Sequence, residues 1–195
     1  MFENWTHAVN TIIAQTNQNW EILGAVLGIL WGVHLLNILV GYRLNVLGII
    51  PRKMNGLVGI IFAPFLHGNF NHLFFNSIPL VVLLDFILIF NKAHWMCVTA
   101  AITLIGGFLT WIIARKSIHI GASGVITGYW SYLICNMYTE PSVMTLILGV
   151  VCVYYFAGIF LGVFPQGRGT SWEGHMSGLI AGGVVAFFPI LGTLF

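Results

Sequence analysis

Six stretches of this chain are apolar over the length a helix needs to cross a bilayer, about 20 residues. They constrain the fold more than any motif does. They lie at about 22–40, 70–90, 95–114, 122–139, 143–164 and 174–195. Inside lipid no water is present to bond backbone N–H and C=O groups, so such a stretch must bond within itself, and a helix is the default solution. Charged residues make up only 6% of the chain, against about 25% in a soluble domain. The expected fold is therefore an all-α membrane protein with six transmembrane helices. It forms a single domain over 1–195, with a polar N-terminal tail at 1–21 and a six-helix core at 22–195. The tail carries Glu3 and Glu21 and no Lys or Arg, unlike the basic start of a cleaved signal peptide, so the first span is expected to be retained.

Residues 41–69 break the pattern. The run from Leu57 to Leu66 is apolar but too short to span, and Gly41, Gly48, Pro51, Gly56, Gly59, Pro64 and Gly68 punctuate the region. It reads as a structured loop of short helices embedded at one interface. Trp20, Trp95, Trp111 and Trp172 sit near segment ends as interfacial anchors, whereas Trp31 and Trp130 lie mid-segment and read as packing residues. Cys97, Cys135 and Cys152 all fall in apolar segments, an odd set that suits core packing rather than a disulfide framework or a zinc site. The net charge of +2 gives no reason to expect a nucleic-acid partner.

Few side chains could carry chemistry. Ser123 lies in Gly-Ala-Ser-Gly at 121–124, at the head of the fourth span. Flanking glycines leave the backbone open to close approach, and free N–H groups at a helix start can stabilise an oxyanion. Taken alone, the same serine reads first as a helix cap or packing residue. His175 opens the sixth span beside Gly174, Gly178 and Gly182, which recur every fourth residue, and Gly124 and Gly128 form a matching pair. Such small-residue faces let membrane helices pack backbone to backbone. If these two faces meet, Ser123 and His175 flank one seam, and a Ser–His hydrogen bond, the minimum for an activated hydroxyl, becomes feasible. His72 and Asn76 are four apart on one face of the second span. They read either as an interhelical hydrogen-bond pair or as donors for a negative oxygen beside Ser123. Spans two, four and six run in the same direction and start at one surface, so all four residues gather at one end of the bundle.

Other polar residues read as structural. His67 orders the backbone after Pro64; His34 and Asn37 join helices; nothing in the sequence fixes the direction of His119. Glu173 is two residues from His175, on a different helix face, and is a poor orienter. Asp85 reads as a residue near the cytoplasmic end, facing Lys92. It is also the only aspartate, which excludes a two-aspartate intramembrane protease. His-Glu-x-x-His, a Walker loop and a dinucleotide fingerprint are all absent.

Three motifs in this order resemble the rhomboid family of intramembrane serine proteases. They are Ala-Pro-Phe-Leu-His-Gly-Asn-Phe-Asn-His-Leu-Phe-Phe-Asn-Ser at 63–77, Gly-Ala-Ser-Gly at 121–124 and Gly-His-Met-Ser-Gly-Leu-Ile-Ala-Gly at 174–182. Spacing and segment order agree over about 41–190. The resemblance implies Ser123 as nucleophile, His175 as general base, and an oxyanion site made by His72, Asn76 and the Ser123 N–H, with no acidic third member and no cofactor or metal. It implies transmembrane proteins as substrates, cut near the outer surface at small residues, and a lipid bilayer as the medium. Two positions depart from the bacterial pattern. Thr127 stands where many relatives place a tyrosine against the catalytic histidine, and residues 41–69 lack the tryptophan of a Trp-Arg pair.

Orientation pulls two ways. The first, third and fifth loops hold Arg43, Arg52, Lys53, Arg115, Lys116 and Arg168, which by the positive-inside rule face the cytoplasm. The resemblance instead places them outside a bacterial inner membrane, with the site opening to the extracytoplasmic side. That orientation is adopted, because the charges are few and Arg43, Arg52 and Lys53 lie in the embedded loop. Two other functions would use the same spans. A non-catalytic relative that escorts membrane helices would not need the Ser–His pair. A small transporter would need polar residues through both leaflets rather than at one end.

Overall fold

The computed structural model describes residues 2–164 and 171–192, so Arg168 and the last three residues of the expected sixth span lie outside the described residues. Helix α1 runs over Phe2–Leu39, followed by 3-10 turns at Arg43–Leu47 and Met54–Gly56, the short α2 (Gly59–Phe62) and a further turn at Ala63–Phe65. Then come α3 (Phe70–Asn91), α4 (Trp95–Ile113), α5 (Ser123–Thr139), α6 (Val143–Leu161) and α7 (Trp172–Phe187), with a last 3-10 turn at Pro189–Gly192. The all-α membrane bundle expected from the sequence is the fold observed. Four helices are long and apolar enough to cross a membrane: α1 over Asn4–Leu39, α3, α4 and α6. Helices α5 and α7 are shorter, at 17 and 16 residues, or roughly 24–26 Å of helix at about 1.5 Å per residue.

The expected polar tail is not a tail. Helix α1 starts at Phe2 and continues unbroken through the first span. No glycine or proline interrupts 2–23, and the polar side chains there have partners. Thr16 Oγ1 donates to Asp85 at 2.7 Å and Asn19 Nδ2 donates to its other carboxylate oxygen at 2.8 Å. Asp85 is thereby tied to α1 and does not face Lys92 as the sequence suggested. At 38 residues, α1 is roughly 57 Å long, more than the roughly 40–45 Å of a whole bilayer, so one end projects past the headgroups.

Apolar side chains point outward as well as inward. Leu39, Phe75 and Tyr154 are 83%, 67% and 77% exposed, as a surface bathed in lipid requires. The interior combines leucines and Ile87 of α3 with Val98 and Ile102 of α4, large residues of α5 such as Ile126, Tyr129 and Leu133, and the smaller Ala181, Val185 and Ala186 of α7. Helix α5 is the axis: Val125 through Leu133 are buried without interruption, the signature of a helix apolar all round and enclosed by its neighbours. Trp130 is buried with its indole N–H donating to the Cys152 carbonyl, and Trp31 donates to Ser77. Both are packing residues as read from the sequence. The three cysteines are free.

The glycine faces of α5 and α7 meet. A Cβ on Gly178 would lie 2.0 Å from the carbonyl oxygen of Gly124, and one on Gly182 would lie 2.0 Å from that of Gly128. No side chain of any size fits between the two backbones.

The irregular loop is locked to the segment ahead of α5. Ile49 and His119 exchange N–H···O bonds of 2.9 Å in both directions, and Gly121 N–H donates to Ala63 O at 2.9 Å. Arg52 donates through its backbone N–H to Trp111 O and through its guanidinium to Ile112 O, while the Trp111 indole donates back to Lys53 O at 2.8 Å. Trp111, near the end of α4, is thereby a clamp on the loop. Asn37 also serves the loop rather than another helix, donating to Asn45 and accepting from Leu44 N–H.

Forcing a side chain into the glycine seam should separate α5 from α7. We expect Gly178→Val to lower the thermal stability of the detergent-solubilised protein by about 3 kcal/mol, the upper range for overpacking. Gly24→Val, at a position with nothing within 4 Å, should leave the melting temperature unchanged.

Candidate functional site

Ser123, His175, His72 and Asn76 come together as the sequence suggested. All four line one open cavity of about 1590 Å³ at the end of the bundle where α3, α5 and α7 begin. Ser123 is the first residue of α5, but the capping role open to it from sequence is not the one it takes. Ala122 holds the N-cap position and no side chain caps the helix. Its flanking residue Gly124 faces Gly174, the neighbour of His175: a Cβ on Gly124 would sit 3.3 Å from the Gly174 carbonyl oxygen. The seam therefore delivers both side chains to one place.

Gly121 makes the turn into α5 with φ +115, a conformation that suits glycine alone. The space beside it belongs to the other two residues. A Cβ there would meet His72 Nε2 at 2.7 Å and Asn76 Nδ2 at 3.5 Å. His72 sits in the first turn of α3, where the Asn69 side chain accepts its N–H at 2.8 Å. Its Nδ1 lies 3.4 Å from the Gly68 N–H, which can only donate, so the ring proton is on Nε2, the atom nearest Gly121. Asn76 Nδ2 is buried and without a hydrogen-bond partner among the described residues. Leaving a buried donor unpaired costs about 1–3 kcal/mol. Two N–H donors thus converge on the backbone two residues before Ser123.

The ring of His175 is held through Nδ1, which lies 2.8 Å from the carbonyl oxygen of Gly162, just past the end of α6. Thr127 does not hold it. That hydroxyl donates back to the Ser123 carbonyl, one turn earlier. Glu173, set aside as an orienter from sequence, is buried and pairs instead with Arg115, whose Nε lies 3.5 Å away and whose N–H also donates to it.

Neighbouring residues frame the cavity. Ser171 caps α7, accepting from Gly174 N–H at 3.3 Å, and its hydroxyl lies 2.6 Å from His119 Nδ1. The opposite ring nitrogen of His119 lies 3.1 Å from Arg115 O, which fixes the direction that the sequence left open. His34 is buried among Trp31 and Tyr42. His67 is fully buried with its ring edge-on to His72, centroids 5.0 Å apart. Burial, reinforced by His72, pushes the His67 pKa down to about 4. On the inner side of Ser123 lies a second, small pocket of about 60 Å³, lined in part by Gly106, Gly107, Gly121 and Gly174. No cluster of three or more His, Cys, Asp or Glu able to hold a metal occurs among the described residues.

Sequence reading missed Gly162, Ser171 and the role of Thr127. Ser171 carried a usable signal, a serine ahead of an apolar run with an acid in the first turn. Gly162 carried none, because it acts through a backbone carbonyl.

His67 is neutral when folded and acquires a proton readily when unfolded. Between about 4 and 6.5, the folded and ordinary values, the unfolded chain binds more protons, so stability should rise with pH. We expect His67→Gln to flatten that rise in chemical-denaturation curves, leaving the higher-pH plateau as the reference.

The family model described as Rhomboid domain matches residues 54–191, from the loop through the last turn. The uncharacterized protein Rv1337 of Mycobacterium tuberculosis is 38% identical over 181 residues, covering 86% of this chain and 75% of that protein. The uncharacterized protein Mb1372 of Mycobacterium bovis matches to the same extent, 38% over 181 residues with 86% and 75% covered. The uncharacterized protein ML1171 of Mycobacterium leprae is 34% identical over 189 residues, covering 89% of this chain and 74% of that protein.

Proposed function

The chain belongs to the rhomboid family and is a multi-pass membrane protein, and from that premise we propose that it is an intramembrane serine endopeptidase acting through a Ser123–His175 dyad. The observation that carries this reading is the glycine seam, which sets a serine and a histidine on adjacent helix starts in a cavity that His72 and an unpartnered Asn76 amide also line. A structural role alone does not require that combination. A non-catalytic escort has no use for a base beside a hydroxyl, and the polar residues gathered at one end do not form a path through both leaflets.

In this mechanism a substrate helix enters from the lipid, unwinds and presents an extended strand to Ser123. As Oγ attacks the scissile carbonyl carbon, its proton passes to His175 Nε2, the nitrogen left with a lone pair when Nδ1 donates to Gly162 O. Negative charge forms on the carbonyl oxygen. It is met by the Nε2–H of His72, the Asn76 amide and the Ser123 N–H, donors fixed before the reaction begins. The C–N bond then breaks and His175 returns the proton to the leaving amine. Water from the open cavity repeats the sequence on the acyl-enzyme: His175 takes its proton, the hydroxide adds, and Ser123 leaves with that proton. No cofactor takes part. The pocket of about 60 Å³ beside Ser123 admits a small side chain, in keeping with cleavage at small residues. The enzyme sits in a bacterial inner membrane with the cavity opening to the extracytoplasmic side. A C-terminal reporter fusion active on the cytoplasmic side agrees with this orientation, and an extracytoplasmic C-terminus overturns it.

Reaction with a serine-directed fluorophosphonate tests the nucleophile without knowledge of the substrate. Wild type should label, whereas Ser123→Ala and His175→Ala should insert normally and remain unlabelled. Equal labelling of Ser123→Ala would sink the mechanism. Against a cleavable transmembrane reporter, Asn76→Ala should lower kcat by about 10²–10³-fold, the cost of one oxyanion donor, with little change in KM.

A further inference from the structure

A general base needs a defined tautomer as well as a nearby nucleophile. A neutral imidazole carries one proton on either of two nitrogens, and only the form with a bare Nε2 can take the proton from Ser123. Among the described residues, a backbone carbonyl serves as the acceptor for the other nitrogen. His175 Nδ1 lies 2.8 Å from Gly162 O, and because a carbonyl can only accept, the Nδ1 atom must be the donor.

Position 162 is glycine for a reason other than backbone freedom. Its φ of −67 and ψ of −15 are right-handed helical values open to any residue. The constraint is the approach of the ring: a Cβ would lie 2.6 Å from His175 Nδ1 and 3.2 Å from its Cε1. A methyl group there would push the imidazole off the carbonyl. Other candidates for the same task are engaged elsewhere, Thr127 with the Ser123 carbonyl and Glu173 with Arg115.

We propose that the backbone carbonyl of Gly162 is the positioning group for His175, standing where a carboxylate or a stacked aromatic ring would otherwise hold the base, and that residue 162 must lack a side chain to do so. This rests on the reading of His175 as the general base. A consequence is that the dyad depends on a third helix. Ser123 and His175 come from α5 and α7, but the base is aligned only while Gly162, just past the end of α6, stays against the His175 ring. Helix α6 is interrupted six residues earlier at Phe156 (φ −118, ψ 16), and it presents Tyr154, Tyr155 and Phe160 to the outside. A displacement of its end would withdraw the carbonyl and leave the ring free to take the unproductive tautomer.

The test separates this proposal from the protease reading. In Ser123→Ala protein labelled with 15N-histidine and held in nanodiscs, the His175 ring signals are identified by their loss in a further His175→Gln variant. We expect Nδ1 to carry the proton. Adding Gly162→Ala should convert His175 to the Nε2–H form or to a mixture. Nε2–H in the Ser123→Ala protein itself overturns the proposal, as does a tautomer that Gly162→Ala leaves unchanged. With Ser123 restored, Gly162→Ala should lower kcat on the order of 10²-fold, as misplacement of a reacting group does, while KM stays near the wild-type value. Gly24→Ala, at a position with nothing within 4 Å, should not change kcat. An unaltered kcat in Gly162→Ala overturns the positioning role. If fluorophosphonate leaves wild type unlabelled while Nδ1 still carries the proton, the alignment of His175 by Gly162 is supported and the protease reading alone fails.

Discussion

Where Gly178 meets the carbonyl of Gly124, and Gly182 that of Gly128, two helices pass with no side chain between them. In lipid there is little hydrophobic gain in bringing helices together, so association relies on close packing and on polar contacts that small residues permit. The seam does more than hold α5 to α7. Both helices are short, both start at the same end of the bundle, and the residues flanking the first contact are Ser123 and His175. A methyl group at Gly178 or Gly182 would meet a backbone carbonyl at 2.0 Å, so it would force the two helices, and the side chains at their starts, apart.

The seam fixes two helices; the loop over 41–69 fixes what precedes them. Gly121 holds a left-handed φ that an isolated chain would not keep to any single value. Here it is determined from outside, by its N–H on Ala63 O and by the Ile49–His119 exchange two residues earlier. Arg52 and Trp111 tie the far side of the same loop to the end of α4. The His72 and Asn76 donors then face a backbone that has nowhere else to go. The loop has little regular structure of its own, and its hydrogen bonds run to the end of α4 and to the segment between α4 and α5. That is how an irregular segment satisfies its backbone at membrane depth.

Much of this is legible in the sequence, and the exceptions share a cause. Spans, their order and their shared starting surface follow from hydropathy and length. The seam follows from glycine spacing, and the gathering of Ser123, His175, His72 and Asn76 follows from the two together. The start of α1 was misjudged because Thr16 and Asn19 have the same composition whether they face water or bond to a buried Asp85. Trp111 was read as an anchor because a sequence motif cannot show that its partner Arg52 lies across another loop. Thr127 raised the question of what holds His175, but Gly162 could not have answered it: every residue has a carbonyl, and only the fold decides which one is used.

That choice of partner has an electrostatic logic. A carboxylate beside His175 would have to be buried near lipid, at a desolvation cost of several kcal/mol per ion. Such a charge demands a partner of its own, as Glu173 shows by pairing with Arg115. The last carbonyls of a helix are acceptors left over by the helix itself, already oriented and carrying no net charge. Gly162 follows α6 directly, so the negative end of that helix's dipole lies beside the ring that becomes positive in the proposed mechanism. The arrangement supplies orientation and a modest favourable field together, from atoms that the helix end leaves unpaired in any case.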